Sequence, residues 1–353
     1  MSGIFSFVSK DDNLTVIDLA LDEFLKKQRR QDKWLSFDKN LLLHTSRIEL
    51  LKENLVSMQR ECQERLIGVS MEFFHSCEDS RAFLGFQENL PDPSKIFFYN
   101  ILPGSDFQAR MLADLSEVRE AEFDPDSGVL YPAKPENADG KELVRRCERT
   151  IQEHLETIVA GIVTEQNPPA MLASSCVYVS RYVDIKRLFM NPDALAVMLY
   201  YLSRYIVMSE EDFDALVATS KNGAVLAELL GRMTSRKVVN FVNIGPQYAL
   251  SASAVGQIER GKRYFYVYDF ICLGTEAKLL HALLASHSAV LADGIGVASY
   301  IPLDNPELNR KHSPLAKISS MVNLISAGIP YQIYMQGDTA GPRITLNRAE
   351  AAE

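Results

Sequence analysis

Cysteine is sparse in this sequence and scattered. The five in 353 residues, Cys62, Cys77, Cys147, Cys176 and Cys272, are odd in number and nowhere fall at a CxxC spacing. That argues against a disulfide framework and against zinc, and reads as reduced thiols of a cytoplasmic protein. Long apolar runs are missing as well. No segment nears the ~20 apolar residues that a membrane span needs. The opening Met1-Ser-Gly-Ile-Phe-Ser-Phe-Val8 has no basic stretch leading into an apolar run, so no leader and no membrane association are expected. Positive charge is also short: the formal net charge is −9. Direct nucleic-acid binding is therefore not expected, because a phosphate backbone needs a local excess of Lys and Arg. The shortage is complete over residues 238–258, which contain neither Lys nor Arg.

What is present is ample core material. Hydrophobic residues make up 47% of the chain, and its length exceeds the usual single-core size, so two domains are expected. The first, residues 1–168, reads as mostly helical with a small irregular or strand portion. Residues 13–30 form an apolar-faced pattern with Leu19, Leu21 and Leu25 and a basic end that suits a helix C-terminus. Between 39 and 70, Ile48, Leu51, Leu55, Met58, Cys62, Leu66 and Val69 recur at steps of three and four, which predicts one long helix. It packs on its own domain or offers a helical surface to a protein partner or a second copy of the chain. A strand is expected over 96–102 and a further helix over 141–163. Two prolines in Gln166-Asn-Pro-Pro-Ala170 cannot continue a helix and mark the domain boundary.

Residues 169–353 change character. Short β-prone pieces at 177–179, 213–218, 237–242, 264–268, 289–301 and 331–335 alternate with helical patterns at 192–206, 223–233 and 276–285. Such alternation implies right-handed crossovers and a parallel sheet with its sites at the carboxyl ends of the strands. The most informative stretch is 263–284. Five β-prone residues lead into Asp269-Phe-Ile-Cys-Leu-Gly274-Thr275-Glu276 and then a helix. An acid at the strand end can hold ribose hydroxyls, and backbone N–H groups at a new helix N-terminus can face a phosphate. Asp269 reads equally as a turn or helix cap, and Glu276 as an ordinary first-turn acid.

Three segments in order resemble the type I phosphoribosyltransferases, the orotate enzymes most of all: 180–195 with its Tyr182-Val-Asp184, 213–227 ending in Thr219-Ser-Lys-Asn-Gly223-Ala-Val-Leu-Ala227, and 264–275. The resemblance covers about 175–335 and implies an α/β, parallel-sheet phosphoribosyltransferase-like domain after the helical one. It implies pyrophosphate-loop ligand contacts at Lys221, Asn222 and Gly223, and ribose-phosphate contacts at Asp269, Gly274 and Thr275. Mg2+ is the cofactor it implies, with Asp269 as the metal-facing acid. The chain departs from the family pattern where the first of two adjacent acids becomes Tyr268, where threonines become Cys272 and Leu273, and where the catalytic loop at 238–258 loses its cations. Losing a single well-placed donor costs about 3 kcal/mol or a factor of 10²–10³ in rate. These departures weigh against transfer activity. The expectation is a degenerate phosphoribosyltransferase-like protein that binds a phosphoribosyl compound or nucleotide, or keeps only the scaffold. It would act through protein partners in a regulatory or bacterial defence setting, the latter by analogy of fold alone. The alternative is an active enzyme with a rebuilt site, in which Lys221 and cations such as Arg236, Lys237 or Arg260 replace the lost loop.

Overall fold

The computed structural model describes residues 4–9, 13–30, 37–62, 64–85, 90–115, 121–135, 138–172, 177–241, 255–301, 314–331 and 333–334. The chain divides into two compact units, one of Met1–Asp32 with Asp38–His154 and the other of Lys33–Phe37 with Leu155–Glu353.

The first unit is built on a sheet, which corrects the mostly helical expectation. Its elements are β1 (Phe7–Val8), β2 (Leu14–Asp18), α1 (Leu19–Arg30), β3 (Leu41–Leu43), α2 (Thr45–Glu61), β4 (Leu66–Ser70), β5 (Phe74–Cys77), α3 (Ser80–Gly85), β6 (Ile96–Tyr99), α4 (Asp106–Leu115), β7 (Glu122–Asp124) and β8 (Val129–Tyr131). Helix α5 (Gly140–Ile162) begins in this unit. Six strands run in the order β1-β2-β4-β6-β8-β7, with β2, β4 and β6 parallel. The pattern over 13–30 is a strand followed by a helix, and 39–70 holds two strands around α2 rather than one long helix. The physical reason is burial on every side. Strand β2 is buried at all five positions, and such short apolar runs carry no period that separates strand from helix. The apolar stripe Ile48, Leu51 and Leu55 does belong to α2 and is fully buried.

One consequence of this packing is a pH dependence. The His154 imidazole lies edge-on to Phe7, with ring centroids 4.9 Å apart, and burial holds it below its ordinary value of 6.5. The unfolded chain therefore binds this proton more readily than the folded one. The stability that His154 contributes is full above about pH 6.5 and declines as the pH falls through the lower folded value. Urea unfolding midpoints at pH 7.5 and 5.5 check this: the acid-side drop is expected to shrink in His154→Gln.

The second unit contains β9 (Val163–Leu172), β10 (Val177–Val183), α6 (Ile185–Phe189), α7 (Pro192–Met208), β11 (Ala215–Ala218), α8 (Lys221–Thr234), β12 (Lys237–Asn240), β13 (Arg263–Ile271), α9 (Thr275–Ser286), β14 (Val290–Ser299), β15 (Ile318–Asn323) and β16 (Ile333–Tyr334). Five strands form a wholly parallel sheet in the order β12-β11-β13-β14-β15. From β11 the chain crosses through α8 to β12 at one edge, then returns to the other side of β11 for β13, β14 and β15. The strand order reverses between β11 and β13, and at such a point α/β sheets open a crevice beyond the carboxyl ends of the strands.

Both faces of this sheet are covered. Tyr264, Tyr266 and Tyr268 of β13 share a core with Ala277, Leu280 and Leu284 of α9. On the opposite face Phe265 packs against Phe213, at 4.9 Å between ring centroids, and against Tyr205 of α7. A separate antiparallel sheet has the order β16-β10-β9. The prolines expected to mark a domain boundary lie inside β9, where Ala170 pairs with Val179 of β10. Strand β9 is the edge of that sheet, and an edge strand tolerates the missing N–H groups.

Candidate functional site at the strand-order reversal

The site is assembled by two turns, each at the carboxyl end of a parallel strand. Strand β11 ends at Ala218, and Thr219 and Ser220 carry the chain into α8. Ser220 caps that helix, with its Oγ accepting the Gly223 N–H at 2.9 Å. The same hydroxyl donates to Asp269 Oδ1 at 2.8 Å, so one serine joins the first turn of α8 to the end of β13. Thr219 Oγ1 donates to Glu276 Oε2 at 2.7 Å and lies 2.7 Å from the Tyr266 hydroxyl. Consecutive residues of the β11–α8 turn therefore hold two carboxylates, one on β13 and one in the first turn of the following helix.

Strand β13 hands over to α9 through Gly274, whose φ of 71° is left-handed and whose Cβ, were there one, would stand 2.7 Å from a Leu315 methyl. Only glycine fits both demands. Thr275 and Glu276 then open the helix, half-buried. Burial raises the Tyr266 hydroxyl well above its ordinary value, the Glu276 charge raises it further and Asp269 adds to this, against an opposing hydrogen bond from Thr219. Tyr182 of β10 is raised by burial first, then by the charges of Asp269 and Asp184, which places the antiparallel sheet within electrostatic reach of Asp269.

The residues singled out in the sequence are thus placed as follows. Gly223 is buried at the start of α8, Asn222 is half-buried beside it, and Lys221 is exposed at the first helical position. Asp269 is half-buried and tied to Ser220, and Gly274 and Thr275 form the entry to α9. Ser220 and Thr219 are residues of this arrangement that the sequence pattern does not single out. The signal that could have found Ser220 is its place three residues before Gly223, the spacing of an N-cap. Tyr268, where the family pattern has an acid, is fully buried and donates its hydroxyl to the Ser319 carbonyl.

Two of the cations proposed for a rebuilt site stand elsewhere. Arg236 bonds the Phe213 carbonyl at 3.3 Å and stacks on its ring, and Lys237 opens β12 in an ion pair with Glu259 at 2.6 Å. Lys237 is in register with Ala215, at the strand-start end of the sheet, opposite the turns. Arg260 is exposed. The cation-free loop at 238–258 falls largely on residues 242–254, which lie outside the described residues.

Among the described residues no group of three or more His, Cys, Asp or Glu side chains is gathered that could hold a metal. Magnesium usually binds through one or two carboxylates together with ligand phosphates. Asp269 fits an ion that arrives with a ligand, not a cage supplied by the protein. Burial pushes the Cys272 thiol beside this turn up to about 12, so it is no nucleophile at neutral pH. No described helix is long and apolar enough to cross a membrane.

No family model matches the chain, and no curated protein does. Solved structures do. An orotate phosphoribosyltransferase from Aeropyrum pernix is 18% identical, with 49% of this chain and 96% of that one covered and a TM-score of 0.35. An adenine phosphoribosyltransferase from Thermoanaerobacter pseudethanolicus is 14% identical over 49% of this chain and 99% of the other, with a TM-score of 0.38. The UMP synthase of Leishmania donovani is 14% identical over 79% of this chain and 60% of that one, with a TM-score of 0.40. The first two of these likenesses each span about half of this chain.

Proposed function

We propose that the second unit is a degenerate phosphoribosyltransferase-like module that binds a phosphoribosyl compound or nucleotide at the strand-order reversal, or keeps only the scaffold, and no longer transfers the phosphoribosyl group. The observation that carries this reading is the Ser220–Asp269 bond, which ties an acid near the end of β13 to the capped first turn of α8. An acid so held accepts hydrogen bonds from a vicinal hydroxyl pair. What supports the loss of transfer is the use made of Tyr268: the position that carries an acid in the family pattern is spent on the core. Output through a protein partner or a second copy, by way of the helices of the first unit, belongs to the same proposal, as does a regulatory or defence setting.

Two assays test it together. A ribose ligand at ~100 times its dissociation constant is expected to stabilise the protein by ~2.7 kcal/mol, read as a rise of several degrees in melting temperature. Phosphoribosyl pyrophosphate with Mg2+ and a panel of bases is expected to give no base-dependent pyrophosphate release above background. Release well above background, lost in Asp269→Asn, would establish the active enzyme instead.

A further inference from the structure

We infer that the first unit carries a ligand site of its own, a cavity beside the start of α5 that takes a small aromatic amine: a flat apolar body with one protonated nitrogen. The cavity measures about 460 Å³, within the range of small-molecule sites, and its lining residues all belong to the first unit. Its apolar wall is made by Leu66 at the start of β4, Ile96 and Phe97 at the start of β6, and Leu143 of α5. Tyr131, the last residue of β8, lines the same cavity. It is 1% exposed, and among the described residues its hydroxyl has no hydrogen-bond partner. Buried polar groups are nearly always paired, so an orphan hydroxyl on a cavity wall points to a guest that supplies the partner.

The charges decide the class of guest. Asp139, which accepts the Lys141 and Glu142 N–H groups at the start of α5, and Glu142 in its first turn both line the cavity. Arg146, one turn further along, is the one basic residue of the described lining, so acids outnumber it. The balance around the hydroxyl has the same sign. Lys134 lies over the Tyr131 ring at 5.8 Å but is paired with Glu122. Burial, and after it the charges of Asp124, Asp139 and Glu122, push the Tyr131 hydroxyl up to about 12. It is therefore a neutral phenol at pH 7, in surroundings that favour a cation over an anion. A protonated amine donates to the phenol oxygen and to the acids while its ring lies against Phe97 and Leu143. A carboxylate in its place meets net negative charge.

The test is calorimetric titration of the full chain at pH 7 with two probes of one shape and opposite charge, tryptamine and indole-3-propionate. Tryptamine is expected to bind saturably, with a stoichiometry near one and at least about tenfold more tightly than indole-3-propionate. Tyr131→Phe is expected to weaken tryptamine about three- to tenfold and to leave the melting temperature unchanged or higher, because the hydroxyl it removes satisfies no described group of the protein. Leu143→Trp is expected to fill the cavity and abolish binding. No binding of either probe overturns the site, and so does tryptamine binding that neither variant changes. Indole-3-propionate binding as tightly as tryptamine overturns the class of ligand. A lower melting temperature in Tyr131→Phe with tryptamine affinity unchanged makes the hydroxyl a structural group and overturns the inference too. The ribose-binding reading of the second unit stands or falls separately, with Asp269→Asn.

Discussion

Gly296→Ala is expected to lower the melting temperature of the protein by roughly 6–12 °C, the equivalent of about 3 kcal/mol at the sensitivity of a unit this size. Gly296 of β14 is in register with Tyr268 of β13. A Cβ there would stand 2.6 Å from Tyr268 Cγ and closer still to the ring edge. The ring cannot step aside, because Tyr268 is fully buried and its hydroxyl is bound to the Ser319 carbonyl. The damage should reach the site, since Asp269 follows Tyr268 directly. A double-mutant cycle with Tyr268→Val measures the link. The pair is expected to cost less than the sum of the single changes, and strict additivity would show that the clash is relieved elsewhere.

Asp269→Asn is expected to weaken ribose-ligand binding by roughly 10- to 100-fold, the range of a hydrogen bond to a charged group, while leaving the fold intact. The amide oxygen can still accept from Ser220, so the cap of α8 survives. The acceptor charge for the ligand's hydroxyls does not. Titration of the variant with the tightest-binding ribose compound checks this alongside an unfolding curve. Unchanged affinity would place the ligand elsewhere, and a large fall in stability would make Asp269 a structural acid.

Much of the second unit can be read from its residues. The run of β-prone residues before Asp269 and the Gly274 turn mark the start of β13 and both ends of α9 within one residue, while β13 runs three residues past its expected end, because a strand buried on both faces and a left-handed turn leave strong local marks. Strands β2 and β4 leave no such mark: Leu66 and Val69 continue the three-and-four spacing of α2, so a helix is the simpler reading until the sheet pairing is seen. Strand β15, with its Ile-Ser-Ser-Met-Val-Asn sequence, gives no clean alternation and goes unread for the same reason. The site splits likewise. Asp269, Gly274 and Lys221 stand out through local pattern and family likeness. The pairing of Ser220 with Asp269 spans 49 positions of sequence, and that of Thr219 with Glu276 spans 57. No local pattern encodes contacts made only when β11 and β13 lie side by side.

In the proposed function, the turns at the carboxyl ends of β11 and β13 hold a ribose compound through Asp269. Calorimetric titration of the wild-type chain with adenosine, uridine and their monophosphates tests it most directly. Saturable binding with a stoichiometry near one, weakened in Asp269→Asn, is the result expected. Heats no larger than dilution for every compound, or binding indifferent to Asp269→Asn, would contradict it.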